Sequence, residues 1–104
     1  MINLKVKLLT SIKDRTIGLI GYEKPEPIMF LTRFGIHTFG LKFPIDVLVL
    51  DKNNKVVKLV ENLKPNNLFD WPIKYNRVIE LPTGYIKKNK VVLLTKINLE
   101  IDKS

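Results

Sequence analysis

The chain has 104 residues, no cysteine, one histidine and a formal net charge of +8. This length fits one domain, residues 1–104, with a single core, and the absence of cysteine excludes disulfides and thiolate zinc sites. No apolar run approaches the roughly 20 residues that a membrane-spanning helix needs, so we expect no membrane partner, no metal or other cofactor, and a cytoplasmic location.

The first two predicted elements are a strand and the only predicted helix. Residues 2–8 alternate apolar and polar side chains, which is typical of a strand with one buried face. Ser11 and Asp14 have the spacing of a capping box at the start of a helix. Apolar residues continue at helical spacing to Ile20, and Gly21 supplies a C-terminal stop.

A β-hairpin is the clearest element of the middle of the chain. Two apolar, β-branched segments, 45–51 and 55–61, flank Lys52-Asn53-Asn54. Asparagine tolerates the positive φ that tight hairpin turns require, so we expect the two segments to pair. A shorter strand is predicted over residues 28–32.

The remaining chain predicts a loop and two strands. Residues 62–76 contain prolines and asparagines typical of an ordered loop. We expect three of its side chains to pack back onto the sheet: Leu68, Phe69 and Trp71. A strand is predicted over 77–81, and the alternation of 91–101 predicts a last strand that pairs with 2–8 at the edge of one sheet. The predicted fold is mainly β (β-rich α+β), a small partly closed β-barrel or sandwich with one short helix.

A long ordered set of motifs carries a family resemblance. In chain order they are Arg15-x-x-Gly18-Leu19-Ile20, Met29-Phe30, Ile36-His37-Thr38-Phe39-Gly40-Leu41-Lys42-Phe43-Pro44-Ile45-Asp46-Val47, Val56-Val57, Pro65 and Glu80-Leu81-Pro82-x-Gly84. Over about residues 10–97 the sequence resembles domain-of-unknown-function family 192. The resemblance implies a compact β-rich fold and supplies no established reaction, substrate or cofactor.

Three positions depart from the pattern of that family. Leu41 stands where the family usually has Met, Asn66-Asn67 where it often has an aromatic–basic pair, and Leu94-Thr95 where it tends to have Gly-Asp. A site built on those positions would be altered in this chain.

Five polar residues are candidates for a ligand-binding site: Arg15, His37, Thr38, Asp46 and Glu80. In a strand that continues through Phe43, His37 would share a face with Phe39 and Leu41. These apolar neighbours favour a buried, hydrogen-bonded structural histidine over a general base or a ligand contact.

The acidic candidates require partners if they are buried. Asp46 would share a face with Leu48 and Leu50, where an unpaired carboxylate is costly. Its candidate partners are Arg15, His37 or backbone amides after Pro44, and we favour a structural ion pair over a functional acid. Glu80 also lies inside an apolar strand, so it too requires a partner if it is buried. Arg15 is again a candidate partner.

Three function classes remain open. We favour a non-catalytic small-ligand or interaction module lined by the five candidates. The first alternative is nucleic-acid binding through a basic sheet surface, although the lysines are scattered along the chain. The second is a hydrolase-like enzyme that uses Asp46 and Glu80, which requires both carboxyl groups to face one cleft. The sequence sets neither the ligand nor the oligomeric state.

Overall fold

The computed structural model describes residues 1–10 and 18–103. In chain order the elements are β1 (Ile2–Leu8), β2 (Ile28–Leu31), β3 (Gly35–His37), β4 (Ile45–Leu50), β5 (Val56–Leu63), β6 (Leu68–Asp70), β7 (Arg77–Pro82), α1 (Tyr85–Asn89) and β8 (Ile97–Lys103). The fold is mainly β with one short helix in the described part of the chain, as predicted. None of the described residues belongs to a helix long and apolar enough to cross a membrane.

The described helix, α1, is not the predicted one. The helix predicted from Ser11 falls mostly on residues 11–17, which lie outside the described residues, as does Arg15. Residues 18–21, the expected last turn of that helix, form a turn. Helix α1 was not predicted from the sequence, because its five residues are too few to show a helical apolar pattern.

Six strands form one mixed sheet in the order β5-β4-β7-β2-β1-β8. The predicted pairing of the terminal strands is confirmed, since β1 and β8 run parallel in register from the Ile2–Ile97 pair onwards, with β8 at the edge. The predicted hairpin is also confirmed: β4 and β5 are antiparallel, and Asn54 in their turn has a φ of 62°.

The sheet curls but does not close into a barrel. Its edge strands, β5 and β8, meet through an isolated bridge between Lys55 and Lys96. Beside this bridge the amide of Val56 donates to the carbonyl of Thr95 at 2.9 Å, and the amide of Ile97 donates to the carbonyl of Asn54 at 2.9 Å. No ladder joins β5 to β8 in the described part of the chain, so the curled sheet stays open along this side.

Apolar side chains form a core on each face of this sheet. We call the face that carries α1 the inner face; its core is formed by Leu4, Val6, Met29, Leu48, Leu50, Val56, Ile79, Leu81, Ile86, Val91 and Ile97. The outer face carries a second core, formed by Leu9, Leu19, Ile28, Phe30, Leu41, Ile45, Val47, Val49, Leu63, Trp71 and Val78. All six residues of β4 are buried, which explains why five of them are apolar, with Asp46 as the exception.

A separate two-stranded sheet, β3 paired with β6, packs against the outer core through Ile36 and Phe69. The predicted loop 62–76 therefore contains a short strand. Trp71 is buried as expected, whereas Leu68 is 74% exposed, because alternation along β6 directs Phe69 inward and Leu68 outward.

The strand predicted over 91–101 is wrong in its first half. The chain turns between Val92 and Thr95, where the Thr95 amide donates to the Val92 carbonyl at 3.1 Å and Leu94 has a φ of 71°. Strand β8 begins only at Ile97. The turn breaks the alternation, so that Val92 and Leu93 are both exposed.

Candidate functional site

Asp46 is completely buried on the inner face, and among the described residues it binds backbone amides from two distant segments rather than the cation of the expected ion pair. Its Oδ1 accepts from the amide of Asn62 at 2.9 Å and from the hydroxyl of Thr83 at 3.3 Å, and its Oδ2 accepts from the amide of Ile86 at 2.8 Å. Ile86 lies in the first turn of α1, a helix with no side-chain cap of its own at Gly84. Asp46 thus caps α1 from a neighbouring strand, using the affinity of helix N-termini for negative charge.

Thr38 is also completely buried and also binds backbone groups. Its hydroxyl donates to the carbonyl of Lys64 at 2.7 Å and accepts from the amide of Asn67 at 2.8 Å. Its own amide donates to the carbonyl of Asn67 at 2.9 Å. Thr38 therefore fastens the end of β3 to the loop before β6, and its hydroxyl is occupied by that loop.

His37 is exposed, so the expectation of a buried structural histidine is wrong. Strand β3 ends at His37, and the chain turns at Gly40, whose φ is 89°. The strand through Phe43 that would have buried the imidazole does not exist. The ring instead stacks on that of Phe39, with 5.2 Å between centroids, on the side of β3 that faces solvent.

Glu80 is a buried carboxyl group on the outer face. It is 4% exposed, and its Oε1 accepts from the amide of Leu19 at 3.1 Å. Burial raises the pKa of Glu80 to about 7, and the hydrogen bond from Leu19 opposes this rise. A Cβ at Gly18 would lie 2.8 Å from Oε1, so the acid is packed tightly beneath the chain at Gly18.

Asp46 and Glu80 do not share a cleft. In the ladder between β4 and β7, Asp46 is opposite Leu81 and Val47 is opposite Glu80. Leu81 belongs to the inner core and Val47 to the outer core, so the two carboxyl groups project from opposite faces of the sheet. The arrangement does not provide the acid–base pair that the hydrolase alternative requires. The four described candidates therefore do not line one pocket.

A cleft lies elsewhere, at the end of the curled sheet where β8 passes the hairpin turn. We call it the mouth cleft; its volume is about 380 Å³, and its lining residues are Leu8, Met29, Leu31, Asn54, Asn76, Arg77, Leu99 and Ile101. Five of these side chains are apolar, and the single charged one is Arg77. Small-ligand sites recur at the mouths of β-barrels, and this cleft occupies the corresponding end of the curled sheet.

Arg77 is held at the rim of the mouth cleft by the hairpin turn. Its Nη1 donates to Oδ1 of Asn54 at 2.7 Å and to the carbonyl of Lys52 at 3.2 Å. Among the described residues, no carboxylate forms a salt bridge with Arg77, and its Nε and Nη2 groups donate to no protein atom. A guanidinium carries five N–H groups in a planar fork, so donors remain for an anionic group.

Sequence reasoning missed the mouth cleft. One signal was present: Arg77 begins a strand in which Ile79 and Leu81 alternate on the same face, which places a cation on the inner side of the sheet. The convergence of β2, β7, β8 and the hairpin turn is a property of the three-dimensional fold. In the described residues, no three acidic or histidine side chains are grouped in a way that would hold a metal ion.

Comparison with solved structures identifies the fold. A protein of unknown function from Novosphingobium aromaticivorans matches with a TM-score of 0.74 at 14% identity, over 90% of this chain and 71% of that chain. A putative transcription regulator from Sinorhizobium meliloti matches with a TM-score of 0.73 at 17% identity, over 88% of this chain and 76% of that chain. At these identities the likeness shows the fold alone.

Comparison of sequences identifies the family. No curated protein matches this chain. The sequence model of DUF192, described as an uncharacterized ACR, matches residues 2–99. The chain therefore belongs to domain-of-unknown-function family 192.

Proposed function

We propose that this protein is a non-catalytic small-ligand-binding module and that its ligand occupies the mouth cleft. The observation that carries the proposal is the position of Arg77, a cation with unoccupied donors at the rim of a largely apolar cleft of about 380 Å³. This volume lies in the range of small-molecule sites, roughly 300 to 1,000 Å³.

The lining of the cleft indicates the chemistry of the ligand. Met29, Leu99 and the other apolar side chains suit an aliphatic or aromatic body, because burying such a body removes apolar surface from water. Arg77 suits a carboxylate, which guanidinium groups bind through paired hydrogen bonds. A small monocarboxylate with an apolar body satisfies both features.

The lining also favours binding over catalysis. It contains no carboxylate, histidine or hydroxyl group among the described residues, so it lacks the usual general acids, general bases and oxygen nucleophiles. The candidates from the sequence are engaged in other ways: Thr38 and Asp46 bind backbone groups, and Glu80 is buried on the opposite face from Asp46.

Nucleic-acid binding is the less favoured alternative. The exposed side of the β1–β8 pair places Lys5 beside Glu100 and Lys7 beside Asp102, so its charges alternate in sign. Backbone phosphates favour a continuous positive surface with aromatic platforms. The similar protein from Sinorhizobium meliloti is described as a putative transcription regulator, but at 17% identity that role does not carry over to this chain.

The proposal is tested by amide-resolved NMR titration of the labelled protein with octanoate and, in parallel, with octanol. We expect saturable octanoate-induced shifts at Met29, Arg77 and Leu99, with octanol bound about tenfold more weakly because it lacks the carboxylate. Arg77→Gln should weaken octanoate binding to the level of octanol.

The matched control is Arg33→Gln. Arg33 is exposed and donates to the carbonyl of Ile73 at 2.6 Å, outside the cleft, so its loss should leave binding unchanged. Octanoate shifts confined to His37 and Glu80 would instead place the binding site at the candidate residues predicted from the sequence. An absence of saturable shifts with either probe would reject the mouth cleft.

A further inference from the structure

An apolar turn between α1 and β8 exposes three consecutive aliphatic side chains, with exposures of 62% for Val92, 59% for Leu93 and 69% for Leu94. We call residues 92–94 the apolar turn. Single exposed apolar residues are ordinary on protein surfaces, whereas three in succession at one turn form a patch that requires an explanation.

The backbone of the apolar turn is fixed, so its exposure is not the fraying of a loose segment. The amide of Leu94 donates to the carbonyl of Val56 at 2.7 Å, and the amide of Val92 donates to the hydroxyl of Thr95 at 3.1 Å. Leu94 also has a φ of 71°, a region that disfavours a bulky side chain. The fold thus presents a leucine at a position where glycine would be less strained.

The apolar turn is surrounded in the chain by positive charge. Between Leu81 and Leu99 the sequence contains no acidic residue. The same stretch contains four exposed lysines: Lys87, Lys88, Lys90 and Lys96. Lys55, whose amide donates to Asp51 in the hairpin turn, forms a backbone β-bridge with Lys96. Its side chain adds a further cation.

We propose that the apolar turn and its flanking lysines dock this protein onto the surface of an anionic lipid bilayer. Aliphatic side chains at a turn enter the boundary between headgroups and acyl chains, while lysines reach the anionic headgroups. Long lysine stems allow the charges to stay at the headgroups as the turn inserts. A duplex nucleic acid would attract the lysines but would offer the aliphatic side chains no apolar surface.

This docking is peripheral and needs no membrane-spanning segment. It therefore departs from the expectation of no membrane partner, which was based only on the absence of a spanning run. The cytoplasmic leaflet carries anionic lipids, so the mode of binding agrees with the cytoplasmic location expected from the sequence. The docking surface is separate from the mouth cleft, because none of the residues 87–96 lines that cleft.

The test is cosedimentation of the full chain with vesicles of phosphatidylcholine alone and of phosphatidylcholine with phosphatidylglycerol in a 7:3 ratio. We expect binding to the anionic vesicles, weaker binding as the salt concentration rises, and no binding to the neutral vesicles. Leu94→Gly should weaken binding about tenfold by removing one inserted side chain. This variant relieves the positive φ, so it should keep its fold, which the fluorescence of the buried Trp71 monitors.

Two matched controls separate docking from general surface effects. Phe34 is also exposed and has a φ of 77°, but it lies beside the two-stranded sheet on the outer face, so Phe34→Gly should bind like the unchanged protein. The double variant Lys87→Gln and Lys88→Gln should weaken binding about tenfold, whereas Lys24→Gln and Lys64→Gln, with the same change in net charge, should not.

Three outcomes would overturn the proposal. The first is an absence of binding to both vesicle types. The second is equal loss of binding in the control variants, which would indicate attraction by net charge alone. The third is binding that depends on Lys87 and Lys88 but is unaffected by Leu94→Gly; equal affinity for a duplex DNA probe would then identify a nucleic acid as the partner.

Discussion

Asp46 in β4 and Glu80 in β7 lie one register position apart on neighbouring strands, and their carboxyl groups project from opposite faces of the sheet. Each acid accepts a hydrogen bond from a backbone amide of the segment that packs on its face. For Asp46 the donor is Ile86 of α1 at 2.8 Å, and for Glu80 it is Leu19 at 3.1 Å. Asp46 therefore holds α1 against the inner face of the central strand pair, and Glu80 holds the segment around Leu19 against its outer face.

Replacement of Asp46 tests the capping of α1. In Asp46→Asn one carboxylate oxygen becomes an NH₂ group, which would face the amide of Ile86 or of Asn62 and leave a buried donor without an acceptor. We expect the free energy of unfolding to fall by about 1 to 3 kcal/mol, measured by urea denaturation. Asp102→Asn, an exposed aspartate in β8, is the control and should change stability little. An unchanged urea midpoint for Asp46→Asn would show that the carboxylate does not hold the helix.

Replacement of Thr38 tests the attachment of the loop before β6. Thr38→Val keeps the shape of the side chain but removes the hydroxyl that binds the Lys64 carbonyl and the Asn67 amide. We expect a loss of about 1 to 3 kcal/mol in the free energy of unfolding. Thr38→Ser restores the hydroxyl and should recover most of that loss in the same thermal or urea measurement. Because Thr38→Ser keeps the hydroxyl, a loss as large as that of Thr38→Val would show that these two hydrogen bonds do not account for the effect.

The parts of the fold that follow from local patterns were predictable. The hairpin between β4 and β5 follows from alternation on both sides of Asn54, which tolerates the positive φ of the turn. The pairing of β1 with β8 was predicted from the alternation of apolar and polar residues in two half-exposed terminal strands. Both predictions rest on side-chain periodicity and turn chemistry, which are properties of residues close together in the sequence.

Turns and side-chain contacts that leave no trace in local periodicity were not predictable. The amides that bind Asp46 come from residues 16 and 40 positions away, and no local pattern specifies them. Side-chain periodicity predicts a long strand through His37, because periodicity does not register the turn at Gly40. The mouth cleft depends on Arg77 meeting β8, which is formed 20 or more residues later in the chain.

Glu80 should make stability fall as the pH rises through neutrality. Its pKa is raised from 4.5 to about 7 in the folded chain, so between these values the folded state binds more protons than the unfolded state. Folding is therefore favoured by this group at low pH, and that contribution is lost as the pH rises through about 7. A shift of this size corresponds to roughly 3 kcal/mol in the free energy of unfolding.

The measurement is urea denaturation between pH 5 and pH 8, comparing the unchanged chain with Glu80→Gln. The neutral amide does not titrate, so the variant should lose the decline in stability across this window. Asp51 does not mask the effect, because the backbone amide of Lys55 lowers its pKa from 3.8 and it stays ionised throughout. Glu100→Gln, in the exposed part of β8, should retain the decline. The same slope in Glu80→Gln would assign the pH dependence to another group.

Gly18 belongs to the segment that packs over Glu80 on the outer face of the sheet. It has a φ of 58°, and a Cβ there would lie 2.8 Å from Oε1 of Glu80, so Gly18→Ala meets both backbone strain and a steric clash. Gly21→Ala isolates the strain, because Gly21 has a φ of 92° and nothing lies within 4 Å of its added Cβ. We expect Gly21→Ala to cost about 1 to 2 kcal/mol and Gly18→Ala at least about 1 kcal/mol more, measured as the difference in unfolding free energy. Equal costs for the two variants would mean that Glu80 moves aside freely, and the tight packing of this acid would then contribute nothing to stability.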